Sequence, residues 1–361
     1  MKRIGYIFEE TISIENLRAA HFDGKDAIKK KPVWKRRNRM RRALAWEADM
    51  ENNLARLHAM LEAGTYHPGE YRKKIVLEAG KWREIWYTTD WDDQVVQRAI
   101  MRTLGARLEK SMIPETYASM KGRGPHRAIR HICRLLASMP FPDRLWGYQS
   151  DFKKYYASIK HERLKRRTRS KIKDARMLNL LYIFINSFPC KKYLLEHPGS
   201  EGRGIPIGNV VSPLFANFFL DEFDHWAKEV FKATGYFRYA DDILAIFQTK
   251  DEGRDFRTAI HKFAVDLDLT IKPSEKLYPL WARRIDFLGY LISPFSVKLR
   301  KSNERHFRRC ARRCIVNPTK KLVQSLSSRW GWIKHISKPG RFWYSVLPKS
   351  IHQINKEASQ C

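Results

Sequence analysis

Apolar residues follow two different spacings along the chain, and these spacings predict where helices and strands lie. Helical spacing runs through residues 1–70, where the segment RRALAWEADMENNLARLHAMLEAG ends on Gly64, and returns in residues 91–110 and 128–139. Residues 71–90 instead contain two runs that are typical of strands, with a glycine between them. The N-terminal part is therefore predicted to be helical with one β-hairpin.

The second half of the chain alternates between strand-like and helix-like segments. In order, we predict a strand at Leu145–Ser150, a helix at 177–188, a glycine-rich loop at 202–208, a helix at 212–231 capped by Ser212, a strand–turn–strand at 236–247, a helix at 254–268, a strand at 285–293 and basic helices from Lys298 onwards. Strand, helix, hairpin, helix and strand in this order are close to a split βαβ layout. The predicted fold class is therefore α+β, an antiparallel sheet with helices packed on one face.

The charge of the chain indicates a polyanionic partner. Its 361 residues include 70 Lys and Arg against 38 Asp and Glu, a formal net charge of +32, and such an excess repels itself unless an anion neutralises it. The basic residues are concentrated in 29–42, 160–173 and 298–313, with aromatic residues between them. This spread is typical of a channel around a nucleic-acid backbone. From charge alone, a nucleic-acid enzyme and a passive nucleic-acid binder stay equally open.

The N-terminus and the cysteines both favour a cytoplasmic protein. The segment MKRIGYIFEETISIENL becomes acidic too early for a signal peptide, and no apolar run approaches the roughly 20 residues of a membrane span. The five cysteines are scattered, and no Cys/His pair follows Cys310 and Cys314 to complete a zinc site. We therefore expect ordinary thiols in a reducing compartment and no membrane partner.

The segment YADD contains the residues that most clearly suggest chemistry. Asp241 and Asp242 lie between two apolar strand-like runs, where a hairpin turn is expected, and Asp151 follows the strand at Leu145–Ser150. The first strand and the central hairpin of a βαββ sheet are neighbours, so the three carboxylates are expected to converge. Two Mg²⁺ ions would neutralise this costly cluster and stabilise the attacking and leaving oxygens of a phosphoryl transfer. A solvated Asp-Asp turn is the structural alternative.

Seven segments, in order along the chain, resemble the sequence blocks of bacterial reverse transcriptases. They are TTDWDDQVVQRAI, YASMKGRGPHRAIRHI, SDFKKYYASI, GIPIGNVVSPLFANFFL, FRYADDILAIF, LDLTIKPSEK and DFLGYLI. The resemblance spans roughly Lys81 to Ile292 and implies a right-hand polymerase. Its subdomains would be an N-terminal extension and fingers (1–141), a palm (142–293, with an insertion at about 160–204) and a helical basic thumb (294–361).

The resemblance also implies roles at the catalytic centre. Asp151 and Asp241 would be the main metal ligands, Asp242 a weaker third ligand, and Phe152 would contribute its backbone carbonyl. Two Mg²⁺ ions are the expected cofactors, with Mn²⁺ as the alternative. Tyr156 matches the aromatic residue that excludes a ribose 2′-hydroxyl and so admits deoxynucleotides; a packing role is its structural alternative.

Further residues are implied to contact the incoming dNTP or the nucleic acid. Lys81 and Arg83 resemble basic fingers residues that reach the triphosphate, with a solvated hairpin pair as the alternative. Ile207 and Gly208 would form the floor of the nucleotide pocket, and Lys276 matches the lysine of the block after YADD. Basic thumb residues are expected to bind the template RNA and the RNA–DNA duplex, and we single out Arg300, Lys301 and Arg308.

The pocket segment GIPIGN suggests a subtype. Most bacterial reverse transcriptases have Gln where Ile207 stands, and Ile resembles the diversity-generating retroelements, whose enzymes copy a template-repeat RNA with adenine-directed errors. Ser212-Pro213 departs from that type, which usually has Ser-Gln. An antiphage defence enzyme with its own non-coding RNA is the main alternative, followed by a retron; a small accessory protein or a second defence protein would be a further partner. A non-catalytic RNA-binding protein is least favoured because all three acids are present.

Overall fold

The computed structural model describes the chain in two compact units, and each is treated by itself. The described residues are 3–31, 33–78, 80–317 and 319–347, and only the backbone is described for residues 33–35, 78, 81 and 320. The first unit contains the described residues of 1–119, 152–230 and 261–272, and the second those of 120–151, 231–260 and 273–361.

In both units more of the described residues lie in helices than in strands. In chain order they are α1 (Phe8–Ile12), α2 (Ile14–Lys29), α3 (Val33–Glu47), α4 (Met50–Glu62), α5 (Trp91–Ile100), α6 (Ala106–Ser111), α7 (Pro125–Ser138), α8 (Tyr155–Ser158), α9 (His161–Lys171), α10 (Ala175–Asn186), α11 (Lys191–Glu196), α12 (Ser212–Phe219), α13 (Asp221–His225), α14 (Lys250–Asp266), α15 (Lys301–Val316), α16 (Lys320–Ile333) and α17 (Pro339–Tyr344). In the part of the chain that the structure describes, no helix is long and apolar enough to cross a membrane.

The strands form three antiparallel sheets within the described residues. They are β1 (Tyr71–Glu78), β2 (Lys81–Thr88), β3 (Trp146–Ser150), β4 (Gly235–Tyr239), β5 (Asp242–Phe247), β6 (Lys276–Pro279), β7 (Ile285–Phe287), β8 (Tyr290–Ser293) and β9 (Ser296–Leu299). The strand orders are β1-β2, β4-β5-β3-β6 and β7-β8-β9. This mixture of helices with antiparallel sheets agrees with the predicted α+β class.

Two helices replace the single helix predicted for RRALAWEADMENNLARLHAMLEAG. α3 ends at Glu47, and α4 begins at Met50 after an N-cap residue in a non-helical conformation. The break is stabilised by Asn53, whose Nδ2 donates to the carbonyl of Trp46 at 3.0 Å, one of the carbonyls that the end of α3 leaves without a helical partner. Gly64 ends α4 as predicted, with a φ of 68° that suits glycine.

The hairpin predicted for residues 71–90 is confirmed. β1 and β2 pair in register from Tyr71↔Thr88 onwards, over eight residues of each strand. α5 follows directly, and the side chain of Asp90 accepts a hydrogen bond from the backbone N–H of Asp92 at 3.0 Å, as expected of an N-cap. The hairpin and α5 therefore form one continuous element of the first unit.

The prediction of one capped helix at 212–231 is wrong. α12 ends at Phe219, α13 follows, and a π-helical turn occupies Trp226–Val230. The N-cap residue is Val211, while Ser212 is the first helical residue and is buried. Because Val211 has no side-chain acceptor, α12 begins without a side-chain cap. Pro213 in the first turn of α12 lowers the cost of this missing cap, because proline has no backbone N–H that would need an acceptor there.

The sheet β4-β5-β3-β6 is the centre of the second unit. The predicted strand–turn–strand at 236–247 is confirmed as β4 and β5, and β3 pairs with the other edge of β5. Phe256 of α14 packs on the sheet, with its ring centroid 5.1 Å from that of Phe247 and 5.7 Å from that of Tyr148. The Tyr148 hydroxyl donates to Glu275 at 2.7 Å, so a polar group within this core is satisfied.

The strand predicted at 285–293 is a hairpin instead. β7 and β8 are joined by Leu288 and Gly289, whose φ values are 49° and 82°. Two central residues with positive φ define the type I′ turn, which matches the twist of the paired strands. Tyr290 of β8 then donates its hydroxyl hydrogen bond to the carbonyl of Trp332 in α16, at 2.9 Å. The small sheet is thereby tied to the basic C-terminal helices.

Candidate active site

A two-residue turn presents the acidic pair of YADD. Tyr239 pairs with Asp242 across the hairpin, so Ala240 and Asp241 are its two central residues. Ala240 has a φ of 56°, which fits the first central residue of a type II′ turn, where positive φ is required. Arg238, whose side chain is fully buried, donates from Nη1 to the Ala240 carbonyl at 2.9 Å. A buried side chain therefore holds this strained turn in place.

The pairing of β3 with β5 brings Asp151 to the same end of the sheet. The last registered pair is Ser150↔Ile243, and one step further along both strands lie Asp151 and Asp242. Neighbouring strands are about 4.7–4.9 Å apart, so the register brings these two residues to the same end of the sheet although they are far apart in sequence. Asp151 and Asp241 are half-buried and Asp242 is exposed.

The chemistry of this donor set fits a hard divalent cation. Three carboxylates at one end of a sheet repel one another unless a cation neutralises them, and Mg²⁺ prefers carboxylate oxygens while it retains waters and substrate phosphates. Burial and the charge of Asp242 both raise the pKa of Tyr239, which keeps its phenol neutral beside the acids. Lys276 is exposed on β6, where it pairs with Gln149 of β3.

Tyr156 lies in the first unit and is tied to the glycine-rich segment. Its backbone carbonyl accepts a hydrogen bond from the N–H of Ile205 at 2.9 Å, and the N–H of Gly204 donates to the carbonyl of Ile159 at 2.8 Å. His161 contacts the Gly204 carbonyl through Nε2 at 2.8 Å. The helical turn that contains Tyr156 and the segment that leads to Ile207 and Gly208 therefore form one hydrogen-bonded unit.

Gly208 is packed directly against β2. Its N–H donates to the carbonyl of Trp86 at 3.0 Å, and a Cβ added to it would lie 2.4 Å from that carbonyl oxygen and 2.5 Å from the Cβ of Tyr87. Glycine is therefore required here by the protein itself, a reason that the sequence did not reveal. Ile207, beside it, exposes 44% of its surface and is available to a ligand.

Two further hydrogen bonds anchor the same loop. Asn209 donates from Nδ2 to the hydroxyl of Tyr71 at 2.8 Å, and the N–H of Val210 donates to Oε1 of Gln97 at 2.6 Å. Burial raises the pKa of Tyr71 to about 12, so its hydroxyl remains neutral. The loop is thus held by β1, β2 and α5 at three successive residues, which fixes the position of Ile207.

Phe152 is buried, with 3% of its surface exposed, and forms an antiparallel bridge with Ile271. The next residue, Lys153, donates its N–H to the carbonyl of Thr270 at 2.8 Å. The backbone after Asp151 is therefore fixed by the segment LDLTIKPSEK. This contact supports the placement of that segment next to the first catalytic block in the resemblance.

The structure describes the side chain of only one of the two basic hairpin residues, Arg83 and Lys81. Arg83 is exposed on β2, opposite Val76, whereas Lys81 begins β2 and its side chain lies outside the described residues. Three strand residues span about 10 Å, so Arg83 lies about that far along β2 from Trp86, the partner of Gly208.

An ion-pair cluster on the same hairpin was missed in the sequence because its members come from distant segments. Lys73 contacts Glu84 at 2.9 Å and also binds Glu196 of α11, and Nε2 of His197 lies 3.1 Å from Glu84. The hydrogen bond from Lys73 lowers the pKa of Glu84. Carboxylate and imidazole groups at this spacing resemble a metal site, but the ammonium group of Lys73 already contacts both acids, so the cluster ties the hairpin to α11.

The three basic residues singled out near the predicted thumb lie in the second unit. Arg300 precedes α15, and its guanidinium binds Asp286 at 2.7 and 2.8 Å. Arg308 binds Glu304 at 2.9 Å, while Lys301 is exposed. Two of the three cations are therefore already paired within the protein, which weakens their claim to bind phosphates.

A comparison with protein families identifies the central part of the chain. Residues 71–292 match the family model described as reverse transcriptase (RNA-dependent DNA polymerase). The matched segment begins with β1 and ends with β8, and it contains the YADD turn, Asp151 and the Gly208 loop.

Individual relatives are similar over shorter segments. The chain is 28% identical over 184 residues to Protein YkfC of Escherichia coli (strain K12), covering 51% of this chain and 47% of that protein. It is 26% identical over 182 residues to the group II intron-encoded protein LtrA of Lactococcus lactis subsp. cremoris (50% and 29%) and 24% identical over 138 residues to Protein P of hepatitis B virus genotype G (38% and 16%). The chain therefore spans less than half the length of each of these relatives.

The packing of Gly208 leads to a stability prediction. We expect Gly208→Ala to lower the free energy of unfolding by about 1–3 kcal/mol, because the new Cβ would press on backbone atoms of β2. Gly331→Ala is the matched control, since nothing lies within 4 Å of its added Cβ and alanine favours a helix interior by about 0.5–1 kcal/mol. Urea unfolding measures both variants, and equal effects at the two sites would contradict the proposed close contact.

Proposed function

The chain belongs to the reverse transcriptase family, and from that premise we propose that it is an RNA-directed DNA polymerase that copies a cognate template RNA into cDNA. The family implies a right-hand polymerase fold. In this proposal residues 1–141 supply the N-terminal extension and fingers, 142–293 the palm with an insertion at about 160–204, and 294–361 the thumb. The observation that carries the proposal is the register of β3 and β5, which aligns Asp151 with Asp242 beside the Asp241 turn.

The three aspartates would hold the metal ions that reverse transcriptases generally use. Asp151 and Asp241, both half-buried, would be the principal ligands, with Asp242 and the Phe152 carbonyl completing the set. Mg²⁺ bound there would supply positive charge to the attacking and leaving oxygens. The primer 3′-oxygen bonds to the α-phosphorus of the dNTP while the bond to pyrophosphate breaks. The fixed strand ends contribute by holding the carboxylates in place before substrate arrives.

Selection of the nucleotide is proposed to depend on Tyr156 and the Gly208 loop. The hydrogen bond from the N–H of Ile205 to the Tyr156 carbonyl joins the turn that contains Tyr156 to the Gly208 loop, and together they would form one wall of the nucleotide pocket. Against this wall the Tyr156 ring would occupy the space of a ribose 2′-hydroxyl, and exposed Ile207 would contact the base or sugar. Lys276 and Arg83 would attract the triphosphate, and Lys81 is proposed for the same role.

The subtype that we propose is the diversity-generating one, on the strength of Ile207. Its side chain is exposed in an otherwise anchored loop, and in this proposal it would alter how a template base pairs. The match to an intron-encoded protein favours a second candidate, an enzyme that acts with a group II intron-type RNA. Antiphage defence or a retron would be indicated by a dedicated structured RNA. Sequencing the RNA that copurifies with the protein separates these cases, since a template-repeat RNA is expected only for the first.

The first activity prediction concerns the carboxylates. Asp151→Asn and Asp241→Asn should each lower Mg²⁺-dependent dNTP incorporation by at least about 100-fold, because metal charge stabilisation is worth several kcal/mol and each ~1.4 kcal/mol is tenfold in rate. Asp255→Asn, an exposed change on α14, is the control and should be neutral. All three variants should bind RNA with the wild-type affinity and unfold at the wild-type temperature. Wild-type incorporation by either active-site variant would refute the proposed site.

The second prediction concerns sugar selection. Tyr156→Ala should raise the efficiency of ribonucleotide incorporation relative to deoxynucleotide incorporation by about tenfold or more, because excluding one hydroxyl sterically is worth roughly 1–3 kcal/mol. Tyr156→Phe should keep the wild-type ratio, since the ring and not its hydroxyl excludes the ribose. Single-nucleotide kinetics give kcat/KM for both sugars. An unchanged ratio in Tyr156→Ala would move the gate elsewhere.

The third prediction tests the subtype. Wild-type cDNA should carry an excess of errors opposite template adenines, and Ile207→Gln should reduce that excess more than it reduces errors opposite the other three bases. The physical reason is that Gln can hydrogen-bond within the pocket where Ile only packs. Deep sequencing of cDNA from one fixed template provides both rates. Equal error rates at all four bases in the wild-type enzyme would exclude the diversity-generating subtype while leaving the polymerase assignment intact.

A further inference from the structure

A cationic cavity lies in the first unit, next to the Gly208 loop. It has a volume of about 270 Å³ and lies between the end of α2, α3, the end of β2 and α5. Four basic residues line it, namely Lys31, Arg39, Arg42 and Arg98. Three of these four precede residue 71, where the match to the reverse transcriptase family begins.

These cations have no acidic partner in the part of the chain that the structure describes. Arg98 donates from Nη1 to the backbone carbonyl and to Oε1 of Gln94, at 2.8 and 3.0 Å, and Arg42 reaches only the Thr89 carbonyl, at 3.4 Å. The carboxylate that acts on Arg98 is Asp23, which is bound by Arg102 at 2.6 Å. Among the described residues, none of the four cations that line the cavity therefore forms an ion pair with an acid.

Arg98 shows the cost of this arrangement. Burial, with a smaller contribution from the charge of Arg39, lowers the pKa of its guanidinium to about 10, although the charge of Asp23 partly opposes the shift. The group still remains protonated at neutral pH, so a positive charge persists within a half-buried wall. Like charges that are gathered around a half-buried group repel one another and lower stability unless an anion binds among them. The cavity therefore has the electrostatics of an anion site.

The size and position of the cavity indicate which anion. Its volume falls below the roughly 300–1,000 Å³ of pockets that enclose a drug-sized ligand, so it suits one phosphate group of a chain that continues outside. It reaches Gly208 and Val210, two residues of the loop proposed to floor the nucleotide site. A phosphate held there would belong to the strand that enters this site.

We propose that the cavity binds a backbone phosphate of the single-stranded RNA template just 5′ of the base being copied. The inference rests on the proposed function for the identity of the strand, while the anion site itself does not. By holding this phosphate, Arg39, Arg42 and Arg98 would position the next template base at the Gly208 loop. They are positioning residues, since none touches the reacting atoms.

The experiment compares two double variants of the same helix. Arg39→Gln/Arg42→Gln removes two charges that line the cavity, and Arg37→Gln/Arg41→Gln removes two exposed charges of α3 that do not. All four side chains are exposed, so both variants should unfold at the wild-type temperature. Binding of a single-stranded RNA oligonucleotide is measured by fluorescence anisotropy across a salt series. The cavity variant should lose about 0.7 units of salt slope, the value expected for one phosphate contact on a single strand, and the control should keep the wild-type slope.

A second measurement locates the phosphate on the strand. Single-nucleotide addition is followed on templates that end at the copied base or extend beyond it by one to six nucleotides. The cavity variant should show a raised KM for template with the extended strands, and wild-type values with the strand that ends at the copied base. Equal salt slopes in the two double variants would overturn the proposal. A raised KM for dNTP that is independent of the overhang would also overturn it, because the anion would then be a free triphosphate. Competition by dNTP for RNA binding that the cavity variant no longer shows would have the same meaning.

The two proposals fail separately in this design. If the wild-type chain incorporates no dNTP but the cavity variant shows the predicted loss of salt slope in RNA binding, the polymerase proposal is refuted. The proposal that the cavity binds a phosphate of RNA would then still stand. A chain that polymerises normally, with the cavity variant equal to its control, would refute the cavity alone.

Discussion

The pairing of β3 with β5 is the constraint on which the candidate active site depends. Asp151 and the YADD turn come from segments about ninety residues apart, and only the register Ser150↔Ile243 places them side by side. A slip of one residue would reverse every side chain of β3, burying the acid or exposing Tyr148. The core contact of Tyr148 with Phe256 therefore favours this register. Packing within the core thereby determines where Asp151 lies.

The first unit solves a similar problem with backbone hydrogen bonds. The loop that contains Ile207 and Gly208 has no regular structure of its own, so its position depends on its neighbours. Trp86, Tyr71 and Gln97 each receive one hydrogen bond from successive loop residues. A glycine at 208 lets the backbone come close enough for the first of these. The result is an exposed apolar side chain, Ile207, on a loop whose backbone is fixed at its next three residues.

Local elements could be predicted from the sequence because their signals are local. The hairpins at 71–90 and 236–247 follow from alternation and turn residues, and both are present. Interruptions were missed where a single side-chain contact or backbone conformation decides them. At the break before α4, the Asn53 amide bonds the carbonyl of Trp46, and at the turn after Phe287, Leu288 adopts a positive φ. The contacts of the Gly208 loop and the cationic cavity could not be foreseen, since their partners lie in separate elements.

The high net charge acquires a more specific meaning once its local partners are known. Arg300 and Arg308, near the predicted thumb, are bound to Asp286 and Glu304, so those positions carry less free positive charge than the sequence suggests. The cavity beside the Gly208 loop shows the opposite case, because its four cations have no acidic partner among the described residues. The density of basic residues along the sequence therefore does not show which of them lack an acidic partner. Such cations lie beside the Gly208 loop, where we have proposed that a phosphate binds.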